Sequence, residues 1–554
     1  MDKLKASSTP DVTSQRVTFE GPHGMQIVAY IDEGPKEDWN GKFILLAPRY
    51  GESKKNNLQL SYVLASNHFK VMRFDHTNHI GESDGTMEWF TIHGAAEDII
   101  ACANHLDMYY EPKEIALVSL SLSCRSGLRA CARGCPISRF VSVVGMVDLG
   151  KTLNAIYDRD MLKAYSEEKW ERVDILGFDI NGANFYDSLF RENLQDLSGA
   201  IEDAKKTSVP LLHLHAENDK WVDSNDVEEL ISHCPKGQLE FVSGVAHEIN
   251  ENRDAFANVI ARIIAFCAGV ESGPVRQPEK RCLMKQNKAE REALQKMFSF
   301  NQSEAEFWGD YLSKFGIIEE AEFYVEYFKN MSELLGAVRP GDTVLDAGCG
   351  NGFFGLSLLH SAANQIAPGG PIYYCALDLS HDGLATSYRR HVSEYSRLMQ
   401  MSLRASGIGM TYSRVNLDGS EQEEDYQLHC RDGSFSKICS SLVVSYLKDP
   451  SWLFREIFRL LKPGGVAIVS SMKPGCDMTV LYHESITQKH TSNRESGGRA
   501  LLSAAGKIKL KKDSGIYHFF SRADLQRAAF DAGFTDISAH RSFGNQANVV
   551  RLVK

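Results

Sequence analysis

Thr343-Val-Leu-Asp-Ala-Gly-Cys-Gly-Asn-Gly352, continued by Phe353-Phe354-Gly355, reads as a strand that runs into a glycine turn and out into a helix. Val344 and Leu345 give the strand its apolar centre. Gly348, Gly350 and Gly352 remove the Cβ atoms that would hold a ligand away from the backbone. A turn of this kind at a helix N-terminus presents backbone N–H groups to an anionic or strongly dipolar ligand. Gly350-Asn-Gly352-Phe-Phe-Gly355 also satisfies G-x-G-x-x-G, so the spacing admits a dinucleotide.

Two features further out favour a different ligand. Asp346 stands at the end of the strand, and far downstream Leu461-Lys-Pro-Gly-Gly465 precedes the apolar strand Val466-Ala-Ile-Val-Ser470. Together they resemble the class I S-adenosylmethionine-dependent methyltransferases. That resemblance implies a Rossmann-like sheet over residues 301–554, with S-adenosyl-L-methionine as cofactor beside Asp346, Gly348, Gly350 and Gly352. Pro371 to Leu379 is then the second strand, and Asp378 at its end can accept hydrogen bonds from both ribose hydroxyls, with Leu379 next to it. NAD enzymes also place an acid there, so Asp378 alone discriminates poorly. Met410 to Asp418 is the third strand and brings Leu417 and Asp418 towards the adenine, while Asp432 to Leu447 resembles the segment closing the methionine end. Methyl transfer relies on positioning and exclusion of water, so no fixed catalytic residue is expected. Tyr446, His483, Tyr517 and His518 are the candidates to contact the acceptor or act as base. The segment from Asp477 to Lys512, rich in Ser, Lys and Arg, reads as a lid, a carrier-protein contact or a solvated loop. Phe520 to Phe534 reads as a capped helix before the final strands.

The first half repeats the logic with different chemistry. Apolar runs at Gly41–Pro48, Lys70–Asp75, Ile115–Leu120, Phe140–Val144 and Val209–Leu214 alternate with helix-length segments, which predicts a mostly parallel sheet covered on both faces. Ligands of such sheets bind beyond the carboxyl ends of the strands. There stand Ser119-Leu-Ser-Leu-Ser-Cys-Arg-Ser-Gly127, then Asp219 in Ala216-Glu-Asn-Asp-Lys-Trp-Val222, then His247 in Ser243-Gly-Val-Ala-His-Glu248. The chain order Ser, Asp, His is that of α/β-hydrolases.

These residues also resemble a narrower family, the acyl-transferase or thioesterase that releases fatty acyl groups from carrier protein in bacterial luminescence. The likeness spans residues 15–265. It rests on Asp75-x-x-x-His79-x-Gly81-x-Ser83-x-Gly85, Ser121-Leu-Ser123-x-Arg125, Thr207-Ser-Val-Pro-Leu211, Asn218-Asp219-x-Trp221-Val222, and His247 with Glu251-Asn252. It implies Ser123 as nucleophile, His247 as base and Asp219 as its orienting partner. Cys124 and the Arg49-Tyr50 loop would supply the oxyanion donors, Tyr50 by its backbone. Ser121 and Arg125 then occupy the positions where most α/β-hydrolases carry glycine. His76, His79 and His93 are further polar candidates, and loop histidines more often satisfy backbone groups. The segment Tyr157 to Asn193 sits where hydrolases carry a lid. Its Tyr165, Trp170, Phe178, Phe185 and Phe190 suit either an acyl pocket or an ordinary lid core.

Composition bounds these readings. The 554 residues are 43% hydrophobic and 24% charged, enough for large cores in both halves, and the formal charge of −11 argues against a general affinity for nucleic acid or anionic membrane. No apolar run approaches the ~20 residues of a membrane span, and the first ten residues have no signal core, so a cytoplasmic protein is expected. The 12 cysteines lack a paired metal spacing, so reduced thiols and no metal are expected.

The fold class is thus α/β: an α/β-hydrolase domain at 1–270, a linker and the start of a helical cap at 271–300, and a Rossmann-like methyltransferase at 301–554. Aromatic residues from Phe298 and Phe300 through Phe307, Trp308, Tyr311 and Phe315 mark the cap helices, and such a stripe is more often core than substrate wall. The expected protein is bifunctional, with serine acyl-thioesterase or acyltransferase activity and S-adenosylmethionine-dependent methyl transfer. It would act on a carrier-bound or released acyl intermediate, with an acyl thioester as substrate and acyl carrier protein as partner. The alternative is a methyltransferase whose hydrolase-like domain is a docking module. The sequence leaves the acyl chain, the methyl acceptor and the oligomeric state open.

Overall fold

The computed structural model describes residues 11–297, 303–319, 321–363, 371–400, 407–419, 426–476, 481 and 493–554. The chain divides into two compact units, residues 1–299 with 505–510, and residues 300–504 with 511–554.

The first unit contains β1 (Thr13–Glu20), β2 (Gln26–Glu33), β3 (Lys42–Ala47), β4 (Lys70–Phe74), β5 (Glu114–Leu120), β6 (Arg139–Val143), the small hairpin β7 (Arg172–Ile175) and β8 (Phe178–Asn181), β9 (Leu211–Ala216) and β10 (Gly237–Val242). Eight of these form one sheet in the order β1-β2-β4-β3-β5-β6-β9-β10. β2 pairs antiparallel with both β1 and β4, and the remaining pairs are parallel. The central strands are the continuous apolar runs of the sequence. Phe43 to Ala47 are all 0% exposed, as strands covered on both faces must be. Ser121, Asp219 and His247 follow the carboxyl ends of β5, β9 and β10.

In the second unit β11 (Thr343–Ala347), β12 (Ile372–Asp378), β13 (Ile408–Arg414), β14 (Phe435–Ser440), β15 (Leu461–Met472), β16 (Asp536–Ser542) and β17 (Ala547–Val553) form a sheet ordered β13-β12-β11-β14-β15-β17-β16. The order reverses at β11, which lies between β12 and β14, and the glycine turn leaves the carboxyl end of that strand, where open α/β sheets bind ligands. β17 is antiparallel to both its neighbours.

One stretch differs from its reading. Residues 271–300, read as linker and the start of a helical cap, hold the helix Lys280–Met297, which falls within the first unit. Its Glu290, 4% exposed, accepts from Nη1 and Nη2 of Arg73 at 2.7 Å each, while Arg73, itself 0% exposed, also holds Asp32. A helix anchored by a buried ion pair has little apolar period to show, and Glu290 and Leu294 are its buried residues.

Candidate functional site

At the end of β5 the chain makes a sharp turn into the helix Ser123–Ala132, and Ser121 takes it with φ 55, the left-handed region that side-chain-bearing residues rarely adopt. The turn is fixed on both sides: Ser121 N–H donates to the Val143 carbonyl (3.0 Å) and Met146 N–H donates to the Ser121 carbonyl (3.2 Å). The strained backbone sets the Ser121 hydroxyl 2.8 Å from Nε2 of His247. Nδ1 of His247 lies 2.8 Å from Oδ2 of Asp219, whose other oxygen accepts Trp221 N–H (2.9 Å) and Val222 N–H (3.2 Å). With its Nδ1 proton on the carboxylate, His247 turns the Nε2 lone pair to the serine.

This corrects two sequence expectations. The Ser123 hydroxyl faces away from His247 and donates to the Pro48 carbonyl. Cys124 N–H donates to the Ser121 carbonyl at 3.1 Å inside the first helical turn, so it has no hydrogen left for an oxyanion, and burial pushes the Cys124 thiol up to about 12. The N–H that follows the elbow residue is that of Leu122. Among the described residues no hydrogen bond engages the N–H of Leu122 or of Tyr50. The sequence did carry a signal for Ser121. Centred there, G-x-S-x-G becomes Ser119-Leu-Ser121-Leu-Ser123, with small residues on both sides, whereas centring on Ser123 puts Arg125 where crowding is worst. Arg125 belongs elsewhere: its guanidinium pairs with Asp203 at 2.6 Å.

The electrostatics suit a base. Burial works against a charged His247, but Asp219 outweighs it and raises the imidazole above the ordinary histidine value, with Arg49 opposing and Glu248 assisting. Burial likewise opposes ionised Asp219, and the charge of His247 with its hydrogen bond prevails to hold the carboxyl below its usual range. The Trp221 ring lies against the imidazole with centroids 4.6 Å apart.

The other polar candidates have structural partners. His76 Nδ1 meets Asp98 at 3.2 Å, and His93 lies near Glu97 and Glu192. Nε2 of His79 accepts Gly51 N–H at 3.1 Å, and burial lowers His79 to about 3, so it is neutral. In the lid segment Tyr165 and Phe185 are buried in its own core, Phe190 is exposed, and Phe178 reaches the Tyr50 ring (5.8 Å). Tyr50 also ties its hydroxyl to the Ile175 carbonyl at 3.1 Å.

In the second unit the glycine turn has Gly348 at φ 87, Gly350 at φ 50 and Gly352 at φ 81. Its N–H groups differ from the expectation. Gly348 and Cys349 donate to the Leu377 carbonyl (2.8 and 2.9 Å), Gly350 to Oδ2 of Asp378 (2.8 Å), and Gly352 to the Cys349 carbonyl (2.9 Å). The turn is closed on β12 by its own hydrogen bonds and keeps none of these four N–H groups for an anion. Oδ1 of Asp378 accepts Ser380 N–H (2.8 Å), which leaves each oxygen a further lone pair. Asp346, 1% exposed, accepts the Tyr374 hydroxyl at 2.7 Å; burial raises it to about 7, opposed by Tyr374 and reinforced by Asp378. Asp418 accepts the N–H groups of Lys448 (2.8 Å) and Asp449 (3.1 Å), Leu417 is core, and the Leu379 carbonyl accepts Arg414 Nε at 3.0 Å. Sequence reading missed His391: 0% exposed, it spans Gly352 O (2.7 Å) and the Tyr412 hydroxyl (2.8 Å). A Cβ on Gly352 would stand 2.7 Å from its Nε2, a packing reason for glycine that no local motif reveals.

Of the acceptor candidates, Tyr446 and Tyr517 come together, ring centroids 5.3 Å apart, and Tyr446 also meets Trp308 at 4.6 Å. The Tyr517 hydroxyl donates to Glu304 (2.6 Å), which also holds Lys511 (2.7 Å). His518 N–H donates to the Ser445 carbonyl at 2.8 Å. His483 and the start of the segment at Asp477, like Phe298 and Phe300, lie outside the described residues. None of the 12 cysteines forms a disulfide, and among the described residues no helix is long and apolar enough to cross a membrane.

The first unit therefore has an α/β-hydrolase sheet with a Ser-His-Asp constellation, and the second a Rossmann-like sheet with a glycine turn at its switch point. Comparison with known proteins names the families. Residues 28–276 match the acyl transferase family model and residues 319–539 a methyltransferase domain model, so this is a two-domain enzyme of acyl transfer and methyl transfer. The acyl transferase of Photobacterium phosphoreum is 26% identical over 240 residues, 43% of this chain and 78% of that protein. That of Vibrio harveyi is 25% identical over 243 residues, 43% of this chain and 79% of its own. Among solved structures, an esterase of Pyrococcus furiosus aligns at 15% identity over 47% of this chain and 94% of that one, with a TM-score of 0.35.

Proposed function

We propose that the first unit is a serine acyl-thioesterase or acyltransferase with Ser121 as nucleophile. The observation that carries this reading is the Ser121–His247–Asp219 hydrogen-bond chain on a strained elbow, geometry that a docking module has no use for. Ser121 Oγ attacks the acyl carbonyl as its proton passes to Nε2 of His247. The tetrahedral oxyanion is held by the N–H groups of Leu122 and Tyr50. Collapse breaks the bond to the leaving thiolate, which takes the proton from His247 and departs as a thiol. Water, or an acceptor hydroxyl, then attacks the acyl carbon as its proton passes to His247, which returns a proton to Ser121 Oγ as the acyl–oxygen bond breaks and the acid or ester leaves.

In the second unit the reading is S-adenosyl-L-methionine bound at the glycine turn. The cradle fits that group better than a dinucleotide, because the turn's N–H groups are engaged internally and Asp346, Asp378 and Asp418 put carboxylates near three strand ends. A pyrophosphate would meet acids where it needs donors. Asp378 can receive the ribose hydroxyls on its remaining lone pairs, and Leu379, Leu417 and Asp418 form the adenine side. When bound, the cofactor supplies a methyl group on a sulfonium cation. Tyr446 and Tyr517 with Trp308 stand beyond β14, as the wall that orients the acceptor and excludes water.

Both units then act on one acyl intermediate, in the cytoplasm, with an acyl carrier protein delivering the thioester. Methyl esterification of the released carboxylate is the specific form, since a carboxylate has a lone pair and no proton to remove. The test supplies a carrier-bound acyl thioester and isotopically labelled methyl donor to wild type, Ser121→Ala and Asp378→Ala. Methyl ester is expected from wild type alone, with Asp378→Ala binding the donor about 1–3 kcal/mol more weakly. Methylation of still-bound acyl chains by Ser121→Ala would place methyl transfer first, and products that never carry both modifications would end the single-intermediate reading.

A further inference from the structure

Four consecutive residues, Pro48 to Gly51, are each held by a group from a different part of the first unit. The Ser123 hydroxyl donates to the Pro48 carbonyl, Arg49 Nη1 pairs with Glu248 at 2.8 Å, the Tyr50 hydroxyl donates to the Ile175 carbonyl at 3.1 Å, and Gly51 N–H donates to Nε2 of His79 at 3.1 Å. Two of the holding residues are chain neighbours of the proposed triad: Ser123 is two residues after Ser121, and Glu248 directly follows His247. Ser123 is 5% exposed, Arg49 6% and His79 5%, so on the side of these three residues the bonds are shielded from water. Because Nε2 of His79 accepts, its proton is on Nδ1.

We propose that Ser123 is a positioning residue: its hydroxyl fastens the Pro48–Gly51 loop to the nucleophile helix and so sets the Tyr50 N–H at oxyanion distance from Ser121. Arg49–Glu248 ties the same loop to the segment carrying the base, and His79 fixes its far end. The two serines thereby divide the work, one presenting the attacking oxygen and the other the shape of the hole beside it. Preorganised donors of this kind carry much of acyl-transfer catalysis, and outright removal of one costs about 10²–10³ in kcat, which bounds the effect of displacing it. The inference rests on Ser121 as nucleophile and deepens that reading.

The experiment compares Ser123→Ala, Ser123→Cys and Ser123→Thr with wild type and Ser121→Ala in the full chain, using a p-nitrophenyl acyl ester, an alkyl boronic acid as oxyanion mimic, and a fluorophosphonate label. Ser123→Ala and Ser123→Cys should lower kcat about 10- to 100-fold with KM little changed, weaken the boronic acid in parallel, and leave the acid-side midpoint of the pH profile in place. Ser123→Thr, which keeps the hydroxyl, should recover most of kcat. Ser121→Ala should abolish labelling, whereas the Ser123 variants remain labelled at Ser121. Wild-type kcat and boronate affinity in both Ser123→Ala and Ser123→Cys overturn the positioning role alone; labelling that persists in Ser121→Ala and maps to Ser123 overturns the nucleophile reading itself. The cysteine variant preserves volume, so a folding defect confined to Ser123→Ala does not blunt the result.

Discussion

Two turns leave central parallel strands and enter helices, and both hold a residue in the left-handed region near the same angle: Ser121 at φ 55 and Gly350 at φ 50. In the first, the strain is borne by a residue with a side chain, and the elbow aims its hydroxyl at His247, where the proposed chemistry needs it. In the second, glycines bear it at no steric cost, because a Cβ at Gly348 would meet Val443 and one at Gly352 would meet Ser387 and His391, and because the turn must close on β12. Where a fold accepts left-handed strain on a serine, the hydroxyl is the purpose; where glycines take it, the space is.

The sharpest way to break this contrast is Asp219→Asn. The elbow is unchanged, but His247 loses the carboxylate that fixes its tautomer, and acyl turnover should fall by about four orders of magnitude. In the wild type, turnover should rise with pH through a midpoint above the ordinary histidine value, because the neutral imidazole is the base and Asp219 raises its pKa against burial, with Glu248 assisting and Arg49 and His215 opposing. A midpoint at or below 6.5 in stopped-flow acylation would count against that electrostatic reading.

Under the glycine turn the expected signature is in stability. Burial raises Asp346 from 3.8 to about 7, so the native carboxyl keeps a proton that the unfolded chain has lost, and stability falls as pH rises through that window. The loss is bounded at about 4 kcal/mol above the window. Asp346→Asn should remove it, so amide hydrogen exchange along β11 should be slower in the variant than in wild type at pH 8 and similar at pH 4. An equal difference at both pH values would rule the titration out.

The smallest effect belongs to Gly352→Ala. The added methyl meets Ser387 Oγ at 2.4 Å and His391 Nε2 at 2.7 Å and takes φ 81, so a cost of about 1–3 kcal/mol and loss of methyl-donor binding by calorimetry are expected. Full binding in the variant would show that the turn tolerates a side chain and that its glycines have another cause.

The sheets were legible because parallel strands buried on both faces must be apolar, and the runs at 41–48, 70–75, 115–120, 140–144 and 209–214 became β3, β4, β5, β6 and β9. Chain order and context pointed to Asp219 and His247, and the fold brings the two within hydrogen-bond distance. Ser121 rather than Ser123 lies beside His247, which the sequence did not settle because three serines at a spacing of two differ only in backbone angle, and φ is not written in a composition. The engagement of the turn's N–H groups was invisible for a related reason: Leu377 and Asp378 lie on another strand, and only the parallel register of β11 with β12 brings them there. That the helix Lys280–Met297, read as linker and the start of a helical cap, packs with the first unit was not legible because its anchor is a charge, the residue type that normally marks a surface.

That anchor reaches beyond packing. A gene fragment ending at residue 270, where Gly and Pro suggest a seam, would encode the whole first sheet and the proposed triad yet omit the helix carrying Glu290, leaving the Arg73 guanidinium with Asp32 as its remaining carboxylate and uncovered where that helix packed. Removing one partner of a buried ion pair costs about 3–5 kcal/mol, a large part of a domain's stability. The first compact unit therefore runs on through Met297, and a cut at the glycines would remove the helix that completes the Arg73 ion pair.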